Sequence, residues 1–214
     1  MRNAEHVTLV QQGAEAISNW RQDHPGIRLE LQDADLSGIQ LPGADLTEAN
    51  LTGVLFTGAN LEGANLSEAN VSVADLTGSS LAGITAVMAN FRGAHFKGAD
   101  LVGAQFGGAD LTSADLSEAD AREASFFSAN LRWTLLTGSR LAEAHFGRTA
   151  ISDCDMSECR DLEAVIHDMY SSVGTDTIAR SLARADSSSK AALESFFSSA
   201  IGTDVLESLP NLLG

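Results

Sequence analysis

The stretch Leu46–Leu76, LTEANLTGVLFTGANLEGANLSEANVSVADL, repeats itself every five residues. A large apolar residue recurs at Leu46, Leu51, Phe56, Leu61, Leu66, Val71 and Leu76, and the same register runs from Leu31 to Met156 without insertion or deletion. It contains 26 such centres, and only Ala86 and Ala121 fall short in size. Two residues before each centre the chain tends to place a small residue: mostly Ala, with Ser79, Ser139 and Cys154 as variants. Asp or Asn usually precedes the centre, Ser or Thr often follows it, and Gly or Glu comes next.

No ordinary element accommodates this period. On an α-helix a step of five advances about 500°, which smears the apolar residues around the cylinder. On an extended strand an odd spacing sends alternate leucines to opposite faces. A fixed short period instead predicts a solenoid, in which each unit contributes one inward centre and one inward small residue and then turns a corner. Gly, Asp, Asn, Ser and Thr supply the turn chemistry.

The segments GADLTEANL (43–51), GANLEGANLSEANV (58–71) and GADLTSADLSEAD (108–120) resemble the pentapeptide-repeat proteins. That resemblance implies an all-β solenoid, a right-handed quadrilateral β-helix with four pentapeptides to a coil. The 26 units then make about six and a half coils, on the order of 30 Å of rod at strand spacing. Residues one coil apart should stack. Asn50, Asn70, Asn90, Asp110 and Asn130 would form an amide ladder, whereas Asp100 and Asp120 would face each other as like charges.

The flanks differ in kind, which divides the chain into residues 1–28, 29–158 and 159–214. Residues 4–23 carry Val7, Val10, Ala14 and Ile17 at helical spacing before His24-Pro25-Gly26, which predicts a helix capping the first coil. Beyond Cys159, Leu162, Val165, Ile166, Met169 and Val173 predict a helix over 161–174, and two more are expected over 175–185 and 189–202. These flanks resemble segments that bracket the repeats in bacterial proteins associated with TIR signalling domains.

No catalytic constellation emerges. His95 and His145 lie two and a half coils apart, Cys154 and Cys159 take inward slots as small buried residues, and the glycines follow the repeat rather than a phosphate-loop spacing. We expect neither cofactor nor metal. The net charge of −16 disfavours direct nucleic-acid binding. No apolar run approaches a membrane span and the first residues lack a signal-peptide pattern, so a cytoplasmic, bacterial-type protein is expected. Most outward slots are polar. Trp133, Leu135 and Phe127 are the candidate surface for a protein partner or for the chain's own tail, and Phe196, Phe197, Ile201, Leu206 and Leu209 are candidates for self-association. The reading is a non-enzymatic interaction or assembly scaffold, as in signalling or defence effectors. The alternative is an acidic DNA mimic directed at DNA gyrase, a role the resemblance implies for some pentapeptide-repeat proteins.

Leu101 tests the register. Leu101→Asp buries a charge in an inner column, at a cost of several kcal/mol. Loss of soluble protein or of the β signal in circular dichroism is expected; a soluble variant with an unchanged melt would contradict the register.

Overall fold

The computed structural model describes residues 4–187 and 189–202. Its central part is a four-sided solenoid with a twenty-residue coil. Parallel bridges join Glu30 to Asn50, Asp35 to Leu55, Gln40 to Asn60 and Asp45 to Asn65, and the pattern continues to Arg140 and Arg160. Every centre from Leu31 to Met156 is buried. Ala86 is compensated locally, because the preceding small slot holds Ile84, also fully buried. Val54, Thr134 and Thr149 likewise fill small slots with larger side chains. Each five-residue side spends two residues on its corner, so only one residue per side bridges the next coil. Extended strands are therefore nearly absent from an architecture held by β-bonding.

One corner explains the sequence rule. Phe56, Thr57, Gly58 and Ala59 form a tight turn closed by Ala59 N–H donating to Phe56 O at 2.9 Å. Phe56 N–H and Gly58 N–H donate to Asp75 O and Thr77 O of the next coil at 2.7 and 3.0 Å. The N–H just after each centre has no place in this ladder. A side chain takes it: Thr77 N–H donates to Asp75 Oδ1 at 3.0 Å, Ser67 N–H to Asn65 Oδ1 at 3.0 Å, and Ser117 N–H to Asp115 Oδ1 at 2.9 Å. All fourteen Asp and Asn residues that precede a centre between Leu31 and Met156 make this bond. The Ser or Thr hydroxyl that follows reinforces it, as from Ser67 Oγ to Asn65 Oδ1 at 2.7 Å. Where Gln40 stands in the slot, the next corner begins with Pro42, which has no N–H to satisfy.

The amide ladder expected along Asn50–Asn130 closes between Asn70 and Asn90, whose side chains bond at 3.1 Å. The repulsion expected between Asp100 and Asp120 is offset. Arg122 donates to both Asp120 carboxylate oxygens at 2.7 and 2.8 Å, and Arg140 of the next coil donates at 3.1 Å. The Arg122 hydrogen bond holds the Asp120 carboxyl below the usual range.

Two helices rather than one precede the first coil. Helix α1 (Ala4–Val10) and helix α2 (Ala14–Asp23) are separated at Gly13, whose φ of 98° breaks the run. Val10 and Ile17 are buried with the core. His6 Nδ1 accepts Glu30 N–H at 3.0 Å, while Arg21 Nε donates to Asp45 O at 2.8 Å and its guanidinium also reaches Thr47 O. In later coils the equivalent groups bond the coil below, so these side chains occupy the first coil's open edge.

Residues 161–174 do not form the helix their apolar spacing predicts. A 3₁₀ turn spans Leu162–Ala164. The solenoid then continues through β1 (His145–Phe146) paired with β3 (Ile166–His167), and β2 (Ala150–Ile151) paired with β4 (Ser172–Val173). The register slips to 21 and then 22 residues, through His145 opposite Ile166 and Ala150 opposite Ser172. The exposed edge of the coil offers unpaired ladder groups, and the β-branched Val165, Ile166 and Val173 suit an extended chain. Helical structure thus begins at α3 (Thr175–Arg184), followed by α4 (Ser189–Ile201). Helix α3 meets the ladder's end with side chains: Asp153, Cys154 and Met156 N–H donate to Asp176 Oδ2, Thr177 Oγ1 and Ser181 Oγ at 3.0–3.2 Å.

Asp120→Asn keeps the turn bond but removes the charge from between two arginines. It is expected to lower stability by up to about 1 kcal/mol. A rise in melting temperature, the outcome if like-charge repulsion from Asp100 dominated, would contradict the pairing.

Candidate interaction surface

The solenoid presents two kinds of outward position: the middle of a side, where the Asp or Asn cap stands, and the two corner residues. The second corner residue adopts a left-handed backbone, from Gly53 (φ 64°) to Glu118 (φ 61°). Glycine tolerates that region freely, whereas a bulky or β-branched side chain there is strained. Three large apolar residues nevertheless occupy it: Val73 (φ 51°), Met88 (φ 59°) and Trp133 (φ 57°). All three project outward, with relative exposures of 59%, 65% and 54%.

The coil period places them on the two corners that border one side of the solenoid. This side carries Asn50, Asn70, Asn90, Asp110, Asn130 and Ala150, one coil apart. Its charge is low, and Arg92 pairs with Asp110 at 3.2 Å. One bordering corner holds Val87 and Met88, then Gly107 and Gly108, then Phe127 and Gly147. A Cβ on Gly147 would stand 3.0 Å from Phe127 Cδ2, so glycine leaves room for the ring. The other corner holds Val73, Gly93, Ser113 and Trp133. Leu135 lies just beyond Trp133 in the middle of the next side, 55% exposed. It replaces the Asp or Asn that caps most corners, so Thr137 N–H loses the acceptor that Asp75 and Asp115 give Thr77 and Ser117 on the same corner.

Trp133 and Leu135 are therefore open surface, and the chain's described tail does not cover them. Phe127 is half-buried on the neighbouring corner. Of the residues expected to self-associate, Phe196 and Phe197 are buried within the chain: Phe196 packs edge-on against Phe146 at 5.6 Å and Phe197 against Phe196 at 5.5 Å. They continue a row of aromatic rings through Phe106, Phe126 and Phe146, with centroids 5.5 and 5.3 Å apart. Ile201 is partly buried against the core, and Leu206 and Leu209 lie outside the described residues. Val73 escaped the sequence reading, although a β-branched residue in a slot given mostly to Gly and Glu was a legible signal.

The cysteines take the inward role their positions predict. Cys154 Sγ contacts Leu131 O at 2.9 Å and Cys159 Sγ contacts Leu136 O at 3.4 Å, and desolvation pushes both thiols up to about 12. His145 Nδ1 lies 3.0 Å from Asp168 Oδ2. Among the described residues no group of three or more His, Cys, Asp or Glu side chains is arranged to hold a metal ion. No described helix is long and apolar enough to cross a membrane.

The molecule is thus a four-sided β-solenoid built from five-residue units. The model of the family "Pentapeptide repeats" matches residues 30–67, 55–84, 89–126 and 124–160, and the chain belongs to that family, whose members fold as right-handed quadrilateral β-helices. Among solved structures, a trypsin-treated variant of QnrB1, a plasmid-mediated fluoroquinolone resistance protein, is similar at 23% identity. The match covers 69% of this chain and 81% of that one, with a TM-score of 0.50. HetL, involved in heterocyst differentiation regulation in the cyanobacterium Nostoc sp. strain PCC 7120, is 24% identical over 68% of this chain and 72% of its own, with a TM-score of 0.38. A pentapeptide repeat protein from the Arabidopsis thaliana thylakoid lumen is 32% identical over 60% and 66%, with a TM-score of 0.31. No curated protein matches the chain.

Leu135→Asn supplies the missing corner acceptor and removes exposed apolar surface. It is expected to stabilise the protein by about 0.5–1 kcal/mol, raising the melting temperature by a few degrees. A lower melting temperature would mean that Leu135 is packed within the molecule.

Proposed function

We propose that the protein is a non-catalytic interaction scaffold that engages a protein partner through the asparagine-bearing side and its apolar corners. Helices α1–α2 and α3–α4 close the ends of a rod of about six and a half coils. The observation that carries this reading is the placement of Val73, Met88 and Trp133: exposed, apolar and at positive φ, where glycine would be the easier choice. Val73 and Met88 lie over Gly93 and Gly108 of the next coil, yet all three side chains stay more than half exposed, and strain retained at such a surface fits a contact made with another molecule. A role in a bacterial signalling or defence effector follows the resemblance of the flanks, and a cytoplasmic location is part of the same reading.

The second reading, an acidic DNA mimic acting on DNA gyrase, draws on the net charge of −16 and on the likeness in fold to QnrB1. The disposition of the acids favours the first. The slot before each centre takes Asp or Asn alike because either caps the corner. Asp110, Asp120 and Asp155 are paired with Arg92, Arg122 and Arg184. The side through Asp35, Asp75, Asp115 and Asp155 is interrupted by Leu55, His95 and Leu135.

A photo-crosslinking residue at position 133, compared with one at position 57 on a polar corner, tests the proposal in cells. A discrete protein adduct from position 133 alone is expected, and none at 133, or equal labelling at both positions, would refute it. In parallel, a DNA gyrase supercoiling assay is expected to show no effect. Inhibition that persists in a Trp133→Gly, Leu135→Asn variant would favour the second reading.

A further inference from the structure

His167 occupies an unusual place. Strand β3 sets it opposite Phe146, one register position further along the inner aromatic row. Its ring lies 6.0 Å from Phe146 and 4.8 Å from Phe196 of α4, edge-on to the latter. Both ring nitrogens are closed off from solvent and neither has a hydrogen-bond partner. A neutral imidazole already leaves one donor and one acceptor unsatisfied there; an imidazolium would leave a charge and two donors in an aromatic stack. His167 is also where α4 meets the end of the solenoid, beside Ser171 N–H donating to Ala200 O at 2.8 Å.

We propose that α4 is a lid on the C-terminal coil whose closure requires neutral His167, so that mild acid releases α4 and uncovers the end of the inner aromatic row. Among the described residues, α4 turns no charged side chain towards the ring. The face of α4 turned inward carries Leu193, Phe196, Phe197 and Ala200, while Lys190 and Glu194 are exposed, as is Glu163 of the 3₁₀ turn. The His167 ring itself borders a surface cavity of about 370 Å³, lined also by Asp168, Met169, Tyr170 and Ser199, although both ring nitrogens face away from solvent. Among the described residues, Asp168, the next residue along the chain, is the carboxylate that acts on the ring. It favours the charged form, but it is engaged by His145 Nδ1 at 3.0 Å, and burial outweighs it and lowers the His167 pKa. The sign follows: the unfolded or released imidazole binds a proton near its ordinary pKa of about 6.5 and the docked one only below that. Closure is fully stable above that value and weakens as the pH falls towards the docked pKa. His6 has a lowered pKa as well, but it lies at the opposite end of the rod, so a site-resolved measurement separates the two.

Amide hydrogen exchange followed by NMR, with protection factors corrected for intrinsic rates, provides the test. Between pH 7.5 and pH 5, protection at Ser171, Phe196 and Phe197 is expected to fall severalfold, because the released imidazole takes up a proton more readily than the docked one. Protection at Asn70 and Asn90 in the middle of the solenoid should hold. In His167→Phe, which continues the aromatic row, the fall at the lid should disappear; His167→Leu gives the same comparison if the larger ring does not fit. In Asp168→Asn the fall should persist. Protection at the lid that is independent of pH in the natural protein would overturn the proposal, as would an equal fall in His167→Phe and His167→Leu.

Discussion

Nearly every corner of this molecule has one backbone N–H that the coil-to-coil ladder cannot reach. At fourteen corners an Asp or Asn before the centre takes it with a short side-chain oxygen, and much of the sequence follows from that constraint. Asp and Asn share the slot because both place Oδ1 two residues ahead, and Ser or Thr follows because its hydroxyl can donate to the same oxygen. The next residue turns the corner at positive φ, which is why Gly is common there. With the corner fixed, each side is too short for more than one bridging residue. The twenty-residue coil then brings like positions into columns, and burial of one large and one small side chain per unit supplies the driving force.

The same constraint separates structural residues from those with another purpose. An acid in the capping slot needs no binding role to account for it, since an Asn does the same work in the neighbouring coil. Leu135 is not explained by capping, because it gives up an acceptor and exposes an apolar side chain. Nor does capping explain Val73, Met88 and Trp133, which hold left-handed backbone at corners where Gly or Glu mostly serves elsewhere. Their gathering along two borders of one side of low charge gives the surface a direction that neither net charge nor overall composition could supply.

The solenoid was legible in the sequence because its period is fixed by local chemistry, repeated without insertion. The inward columns, the outward histidines and the inward cysteines followed from counting. What failed were readings that depend on residues brought together from different places. The paired acids at Asp100 and Asp120 suggested repulsion, yet Arg122 arrives from the same corner and Arg140 from the next coil. The spacing of Leu162, Val165, Ile166 and Met169 suggested a helix, yet an open ladder edge at His145–Ile151 captured the segment as another, irregular turn. Phe196 and Phe197 suggested a sticky tail because the sequence does not reveal that the aromatic row through Phe146 needs an end. At both ends of the rod, side chains of the flanking helices take over the backbone groups that a further coil would have bonded.

The corner Thr77, Ser117 and Thr137 share offers the most direct measurement, since the three residues differ chiefly in the side chain two positions earlier: Asp75, Asp115 and Leu135. Residue-resolved amide exchange of the natural protein at neutral pH should find the N–H groups of Thr77 and Ser117 protected and that of Thr137 exchanging at least about tenfold faster, as expected when a side-chain hydrogen bond worth roughly 1.4 kcal/mol is missing. Equal protection at all three would contradict the account, because the cap would then not be what holds the corner.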